Sequence, residues 1–456
     1  MVDFLIDYLA MFMFLALAVF LFTGYPVGAV LGGIGLTFGF IGIGFGIFSE
    51  IEFFNIVSRI WGAIADNQVL VAIPMFIFMG TMFEMSGVAD KLLYCLQVIL
   101  RRVPGGLALS VTVMGVIMAA MTGIIGASVV MMTIMALPVM LEQRYNMPLA
   151  TGTIAASGTL GVLIPPSIML VIMAELLGRS VGNLFVAAFF PGLMLASLYF
   201  IYIIVLCSFR PKLAPALPKE LGPDNARELA ILLLKGFLPP TFLIFLVLGS
   251  IILGWATPTE AAGVGAFGAI LLAAINRRLT FKILNKVVER SMLTNAMLFF
   301  IFMGATAFSY TFRSLGGEDI VIGFVDSAGL GSWGVLVVLM AMVFFLGFFF
   351  DWIEITLIVI PVFTPIIELL DFGDHIAKID IVYWFAILLA VNLQTSFLTP
   401  PFGFALFYMK GAAPPEVRIH DIYKGIVPFV MLQLIGLALV MSFPEIAMWL
   451  PRQVLD

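Results

Sequence analysis

The chain has 456 residues, of which 62% are hydrophobic and 11% charged, with a mean hydropathy of +1.18. A soluble protein of this length needs roughly a quarter of its residues charged to cover its surface, so this chain cannot face water on all sides. The net charge of −5 singles out no class of partner, and two cysteines with two histidines argue against a disulfide framework or a metal centre.

Apolar runs of about 20 residues, enough to cross ~30 Å of hydrocarbon as a helix, recur along the sequence. The first, 4–23, lacks a basic flank and a small-residue cleavage site, so it reads as a retained span rather than a signal peptide. Ten crossings are predicted, over 4–23, 26–48, 68–87, 148–175, 184–208, 236–254, 258–276, 294–313, 381–409 and 425–447. Two longer stretches, 105–141 and 332–370, weaken in the middle, at Thr122 to Ser128 and at Gly347, Asp351 and Glu354. Each is either two tight crossings or one re-entrant hairpin, and both choices leave the parity of the count unchanged. Stretches 50–66 and 279–291, with Trp61 and Arg59 in one and Lys282, Lys286 and Arg290 in the other, read as amphipathic helices, either lying in the interface or packing against another subunit. The polar stretch 210–234 reads as a linker.

Placing the N-terminus outside puts seventeen Lys and Arg residues on the inside and five outside, namely Arg59, Arg179, Arg313, Lys378 and Arg452. The positive-inside rule then predicts a bacterial inner-membrane protein with both termini periplasmic.

The halves echo each other. Phe76 to Gly80 (FIFMG) returns as Phe300 to Gly304, Ser128–Thr133–Pro138 is matched in spacing by Asp351–Thr356–Pro361, Pro165-Pro166 by Pro400-Pro401, and Pro26 by Pro258. Repeats are predicted at 1–222 and 223–456, each with five crossings and one hairpin. An odd count inserts the second copy upside down, and such inverted repeats are typical of secondary transporters. The fold class expected is therefore an all-α polytopic membrane protein of two inverted repeats.

Within the spans, Ser157 to Ser167 (SGTLGVLIPPS) and Gln394 to Gly403 (QTSFLTPPFG) each carry two consecutive prolines. These remove backbone donors and stop the helix, and a proline suits the first position of a new half-helix. Freed carbonyls at mid-membrane depth are tolerated where they line a cavity or bind something. A kink satisfied by neighbouring helices is the plainer reading of one such break; two related breaks flanked by Gly, Ser and Thr favour binding. Thr122, Gly123, Gly126 and Ser128 form a small, hydroxyl-bearing tip. Asp351 and Glu354 sit where a charge costs at least ~2.5–3.5 kcal/mol, so each needs a cation, a proton, a partner or contact with water at a hairpin mouth.

These motifs resemble the large (M-type, DctM-like) permease subunit of TRAP transporters, the tripartite ATP-independent periplasmic systems. The resemblance is carried by Gly152 to Ser167, by Trp255 to Ala262 (WATPTEAA), by Gly347 to Pro365 and by Thr399 to Gly403. It implies an elevator-type carrier with a scaffold and a transport domain of two hairpins and two broken helices. It also implies Na⁺ as coupling ion, a separate small four-helix membrane subunit, a periplasmic substrate-binding protein and a small carboxylate such as a C4-dicarboxylate or 2-oxo acid.

Carried over by position, one Na⁺ site would pair Thr122, Gly123, Gly126 and Ser128 with Gly158, Thr159, Gly161 and Pro165. The other would pair Gly347 and Asp351 with Thr395, Ser396 and Thr399. The substrate is expected near Ser128, Pro166, Ser167, Glu354, Gln394 and Pro401. Val162-Leu163 and the Phe-rich tip Phe348 to Phe350 depart from the family pattern.

A standalone Na⁺- or H⁺-coupled carboxylate carrier of related fold is the alternative. An enzyme is not expected, because HExxH, GxSxG and a histidine within a span are all missing. A channel would want a pore-lining ring instead. No nucleic-acid partner is expected.

Overall fold

The computed structural model describes residues 2–123, 125–217, 222–223, 225–327, 329–400 and 403–454 of the chain, and every regular element among them is helical. Eight helices are long and apolar enough to span a membrane, or ten if each of two bent pairs counts as one span. Phe54, Phe242, Phe267 and Phe281 stand exposed on the outer surface, as side chains do when the surrounding solvent is lipid.

The first long helix of each half packs on the other half. Val27–Phe45 lies along Phe281–Ser314, and Pro258–Ile275 lies along Ala72–Met85. This reciprocal exchange is what a pseudo-twofold arrangement requires. Pro26 precedes the first of these helices, and Pro258 opens the second behind a capping box in which Thr257 and Glu260 satisfy each other's backbone. Glycines set the crossing distance. A Cβ on Gly28 would lie 2.7 Å from the Phe300 carbonyl oxygen, and one on Gly304 would collide with the Gly28 carbonyl.

The hairpins pack against the broken helices. Met147–Thr159 crosses Ile419–Ser442 so closely that a Cβ on Gly152 would strike the Gly425 carbonyl and one on Gly425 the Pro148 carbonyl. Neither backbone can yield as a side-chain tip would. Gly152→Leu is therefore expected to cost at least the ~1–3 kcal/mol of an overpacked core, read as a lower melting temperature and yield in detergent.

Each hairpin reaches only to its break. Arms Gly106–Thr122 and Ile125–Glu142 turn at Gly123 (φ +57°), whose Cβ position lies 3.1 Å from Ile168, the first residue after the proline break. At the base, the Tyr145 hydroxyl accepts from Leu107 N–H at 3.2 Å, holding both ends together. Arms Ser332–Leu346 and Trp352–Leu369 turn beside Ser396 in the same way. Tips level with mid-helix breaks fit re-entrant hairpins and not pairs of crossings.

The structure departs from the sequence reading at three places. The supposed linker 210–234 contains the amphipathic helix Ala226–Gly236, started by the Asn225 side chain on Arg227 N–H (3.1 Å). It packs on Val88–Leu100, a helix the sequence reading left unassigned, where Cys95 Sγ donates to the Leu232 carbonyl at 3.1 Å. The interfacial stretch 279–291 is not a separate helix, because Phe281–Ser314 runs unbroken for 34 residues. No Gly or Pro occurs from Phe281 to Met303. In the first half the equivalent Glu50–Ile64 bends 59° from the next helix, where Asn67 turns the chain by accepting from Val69 N–H at 3.0 Å.

Candidate functional site

Proline chemistry builds both breaks. Helix Met147–Thr159 tightens into a 3₁₀ turn at 160–162 and resumes at Ile168, after a cis Pro165-Pro166 bond. Pro166 has no N–H for the Val162 carbonyl, and the Ser167 hydroxyl donates to that carbonyl instead. Ser167 is thus spent on repairing the break. Thr159 Oγ1 donates to Ala156 O at 2.9 Å. A Cβ on Gly158 would meet Val129, which places Gly158 beside the arm carrying Ser128, and the 3₁₀ turn at 160–162 that contains Gly161 touches the same arm; Ser128 itself is buried. The Thr122 side chain lies outside the described residues.

The second break leaves more polar atoms unpaired. Thr395 and Thr399 hydroxyls donate to the carbonyls of Asn392 and Thr395, both at 2.6 Å. Ser396 Oγ, Asn392 Oδ1, Thr356 Oγ1 and both amide atoms of Gln394 are buried without a hydrogen-bond partner. Asn392 Nδ2 donates to Met340 O at 2.7 Å, and a Cβ on Gly347 would fall onto Ser396 Oγ. Asn392 and Ser396, four residues apart, therefore share the face turned to the second hairpin. Gln394 lies on another face of that helix. Buried polar groups are ordinarily paired; these have no partner within the described chain. Pro401 lies outside the described residues.

Asp351 and Glu354 close the second tip as a capping box. Trp352 N–H donates to Asp351 Oδ1 at 2.8 Å, and Asp351 N–H to Glu354 Oε2 at 3.0 Å. The Asp-x-x-Glu spacing carries this signature in the sequence, which the sequence reading passed over. Ser128, matched to Asp351 by spacing, is not a cap here. It lies inside the helix that starts at Ile125, so the two tips present different chemistry at related positions.

Both tips line a central cavity of about 270 Å³, walled by Gly123, Gly126, Asp351, Glu354, Phe397 and Tyr408 among others. The opposite wall is Phe281–Ser314, and two larger cavities continue along that helix. One, of about 500 Å³, contains Glu84 and Arg290; it shares Gly126, Thr294 and Tyr408 with the central cavity. The other, of about 720 Å³, contains Arg59, Glu175 and Arg313. Arg290, Thr294, Met297, Ile301, Ala305, Ser309 and Arg313 follow one another at three- or four-residue steps, a single stripe about 35 Å long. Three cavities thus follow one another along one face of this helix. Asn392, Thr356 and Tyr408 belong to this site and were missed in the sequence. The first two stand within polar clusters the sequence does show, Asn392 beside Gln394 to Ser396 and Thr356 beside Glu354, and Tyr408 gives no signal, because it meets Gly126 across the repeats, 2.8 Å from that residue's Cβ position.

The family model for the tripartite ATP-independent periplasmic transporter, DctM component, matches residues 14–446. The chain is 30% identical over 85% of its length, and 87% of the other's, to the C4-dicarboxylate TRAP transporter large permease protein DctM of Pseudomonas aeruginosa. It is 25% identical to the sialic acid TRAP transporter large permease protein SiaM of Vibrio cholerae, covering 93% and 98% of the two chains. Among solved structures, the Alcanivorax borkumensis YdaH transporter shares the fold, with a TM-score of 0.56, 13% identity, and 87% and 88% of the two chains covered. These relatives are transport permeases, not enzymes, and the chain belongs to the DctM family of TRAP transporter large permeases, multi-pass proteins of the bacterial inner membrane.

Proposed function

We propose that this chain is the large membrane subunit of an importer that couples uptake of a small carboxylate to Na⁺ by an elevator movement. A small four-helix subunit and a periplasmic binding protein would be separate chains. The reading rests on the oxygens left unpaired at the second break, where Ser396, Asn392 and Thr356 lie at the hairpin that carries Asp351. Amide, hydroxyl and carboxylate oxygens are hard donors that suit Na⁺. Gly123, Gly158 and the hydroxyl of Ser128 are the matching candidates in the first half. A bound cation offsets the Asp351 and Glu354 charges, so a substrate carboxylate can approach the half-helix starts at Ser167 and Gly403. The named substrates of the relatives, C4-dicarboxylates and sialic acid, are carboxylates that fit this scheme. The bias of basic residues supports periplasmic termini.

The test is uptake of a mixed pool of organic acids into proteoliposomes holding this chain and its small subunit. Uptake is expected to require both binding protein and an inward Na⁺ gradient. Uptake that needs Na⁺ but no binding protein would establish a standalone carrier, and uptake indifferent to Na⁺ would remove the coupling ion.

A further inference from the structure

We infer that the cavity holding Arg59 and Arg313 is a reception site for a carboxylate, occupied before the substrate reaches the central cavity. The inference rests on the transporter reading above and on its sidedness. The positive-inside rule disfavours neither one isolated arginine nor another, but it leaves only five basic residues for the whole outer face. Two of these are salt-bridged outside the cavity, Arg179 to Glu368 at 2.9 Å and Arg452 to Asp380 at 2.7 Å and Glu445 at 2.6 Å, whereas Arg313 lines it while bridged to Glu318 at 2.8 Å. Two of the remaining three, Arg59 and Arg313, converge from different helices on one cavity of about 720 Å³.

Their surroundings prepare them for an anion. The Arg59 guanidinium lies 5.5 Å from the centroid of the Tyr310 ring, which orients it and leaves its edge donors for a ligand. No carboxylate pairs with it among the described residues. Arg313 holds Glu318 through Nε at 2.8 Å and donates through one terminal nitrogen to the Pro361 carbonyl at 2.9 Å. That carbonyl needs an outside donor, because its helical partner four residues on is Pro365, which has no N–H. The second terminal nitrogen of Arg313 makes no such bond. Ser309 and Tyr310 bring hydroxyls to the same wall, and Glu175 is the one carboxylate among the lining residues. A ligand carboxylate would thus meet two guanidiniums and hydroxyl donors, the pattern that reads planar anions well.

The experiment places one thiol in the cavity and reads its reaction rate. In right-side-out vesicles, the Ser309→Cys chain is labelled from outside with impermeant anionic and cationic methanethiosulfonates, each rate being divided by that reagent's rate on a free thiol. The native Cys95 and Cys207 are buried, which keeps the background low. The anionic reagent is expected to be favoured about threefold, because Glu175 and Glu318 offset part of the arginine charge and the preference rests on guanidinium donors left open at Arg59, and acetate or succinate should slow it more than equal chloride does. Arg59→Gln in the same background should remove most of the preference. A ratio near one, absence of labelling, labelling only from the opposite face, or equal slowing by chloride would each overturn the inference. Because the assay reads a thiol and not uptake, a failure of the tripartite reading would leave its result separately visible.

Discussion

Replacing Gly347 by alanine is expected to reduce uptake by about 10- to 100-fold while leaving the chain folded in the membrane. The added Cβ would fall onto Ser396 Oγ, 2.6 Å from Ser396 Cβ and 3.1 Å from its Cα. Ser396 sits in Ile381–Leu398, a helix buried along almost its whole length, so the hairpin tip must give way instead. Overpacking of this kind costs ~1–3 kcal/mol, and each 1.4 kcal/mol or so is tenfold in the docked population. The close helix crossing at Gly28 and Gly304 lies elsewhere and should keep yield near that of the parent. Initial uptake rate and detergent melting temperature, measured together, check this. Partial recovery in the Gly347→Ala, Ser396→Gly double variant would show a steric cause; a melting temperature lowered as much as uptake would assign the loss to folding.

Asp351→Asn should raise the Na⁺ concentration for half-maximal uptake about tenfold, roughly 1.4 kcal/mol. The substitution separates charge from structure. Asparagine caps helices as well as aspartate does, so the start of Trp352–Leu369 survives, and Glu354→Gln likewise keeps the capping box. What disappears is one full charge in a medium of low dielectric, where cation binding feels it most. Na⁺ titration of initial rates at fixed substrate decides the matter, and an unchanged titration would remove Asp351 from the ion site.

Much of this architecture was legible because prolines and glycines write directly on the backbone. Pro165-Pro166 and Pro400-Pro401 located the breaks, and Gly123 and Gly347 the tips, since no neighbour can restore a missing N–H, Gly123 takes a positive φ, and Gly347 has no room for a Cβ against Ser396. Helices Val88–Leu100 and Ala226–Gly236 were harder to see. Val88–Leu100 packs on Gly106–Thr122 as well as on Ala226–Gly236, and the latter also on Leu238–Ile252, so their moderate hydropathy resembles a linker until the partners are known. The capping box at Asp351 was present in the sequence but outweighed by the attention that an intramembrane charge draws. The convergence of Tyr408 with Gly126, and of Arg59 with Arg313, depends on packing between distant segments, which no local pattern records.

One departure from symmetry has a thermodynamic meaning. Two identical copies related by an in-plane axis would make the states facing either side of the membrane degenerate, each half taking the other's shape in turn. Here the first copy bends 59° at Asn67 where the second runs straight for 34 residues. The two alternatives are then different molecules in shape and cannot have the same energy. A carrier alternating between them as proposed would then rest on one side when unloaded, set by the chain itself. An ion gradient would supply the work of accumulation, while this built-in offset would set which face waits for its load.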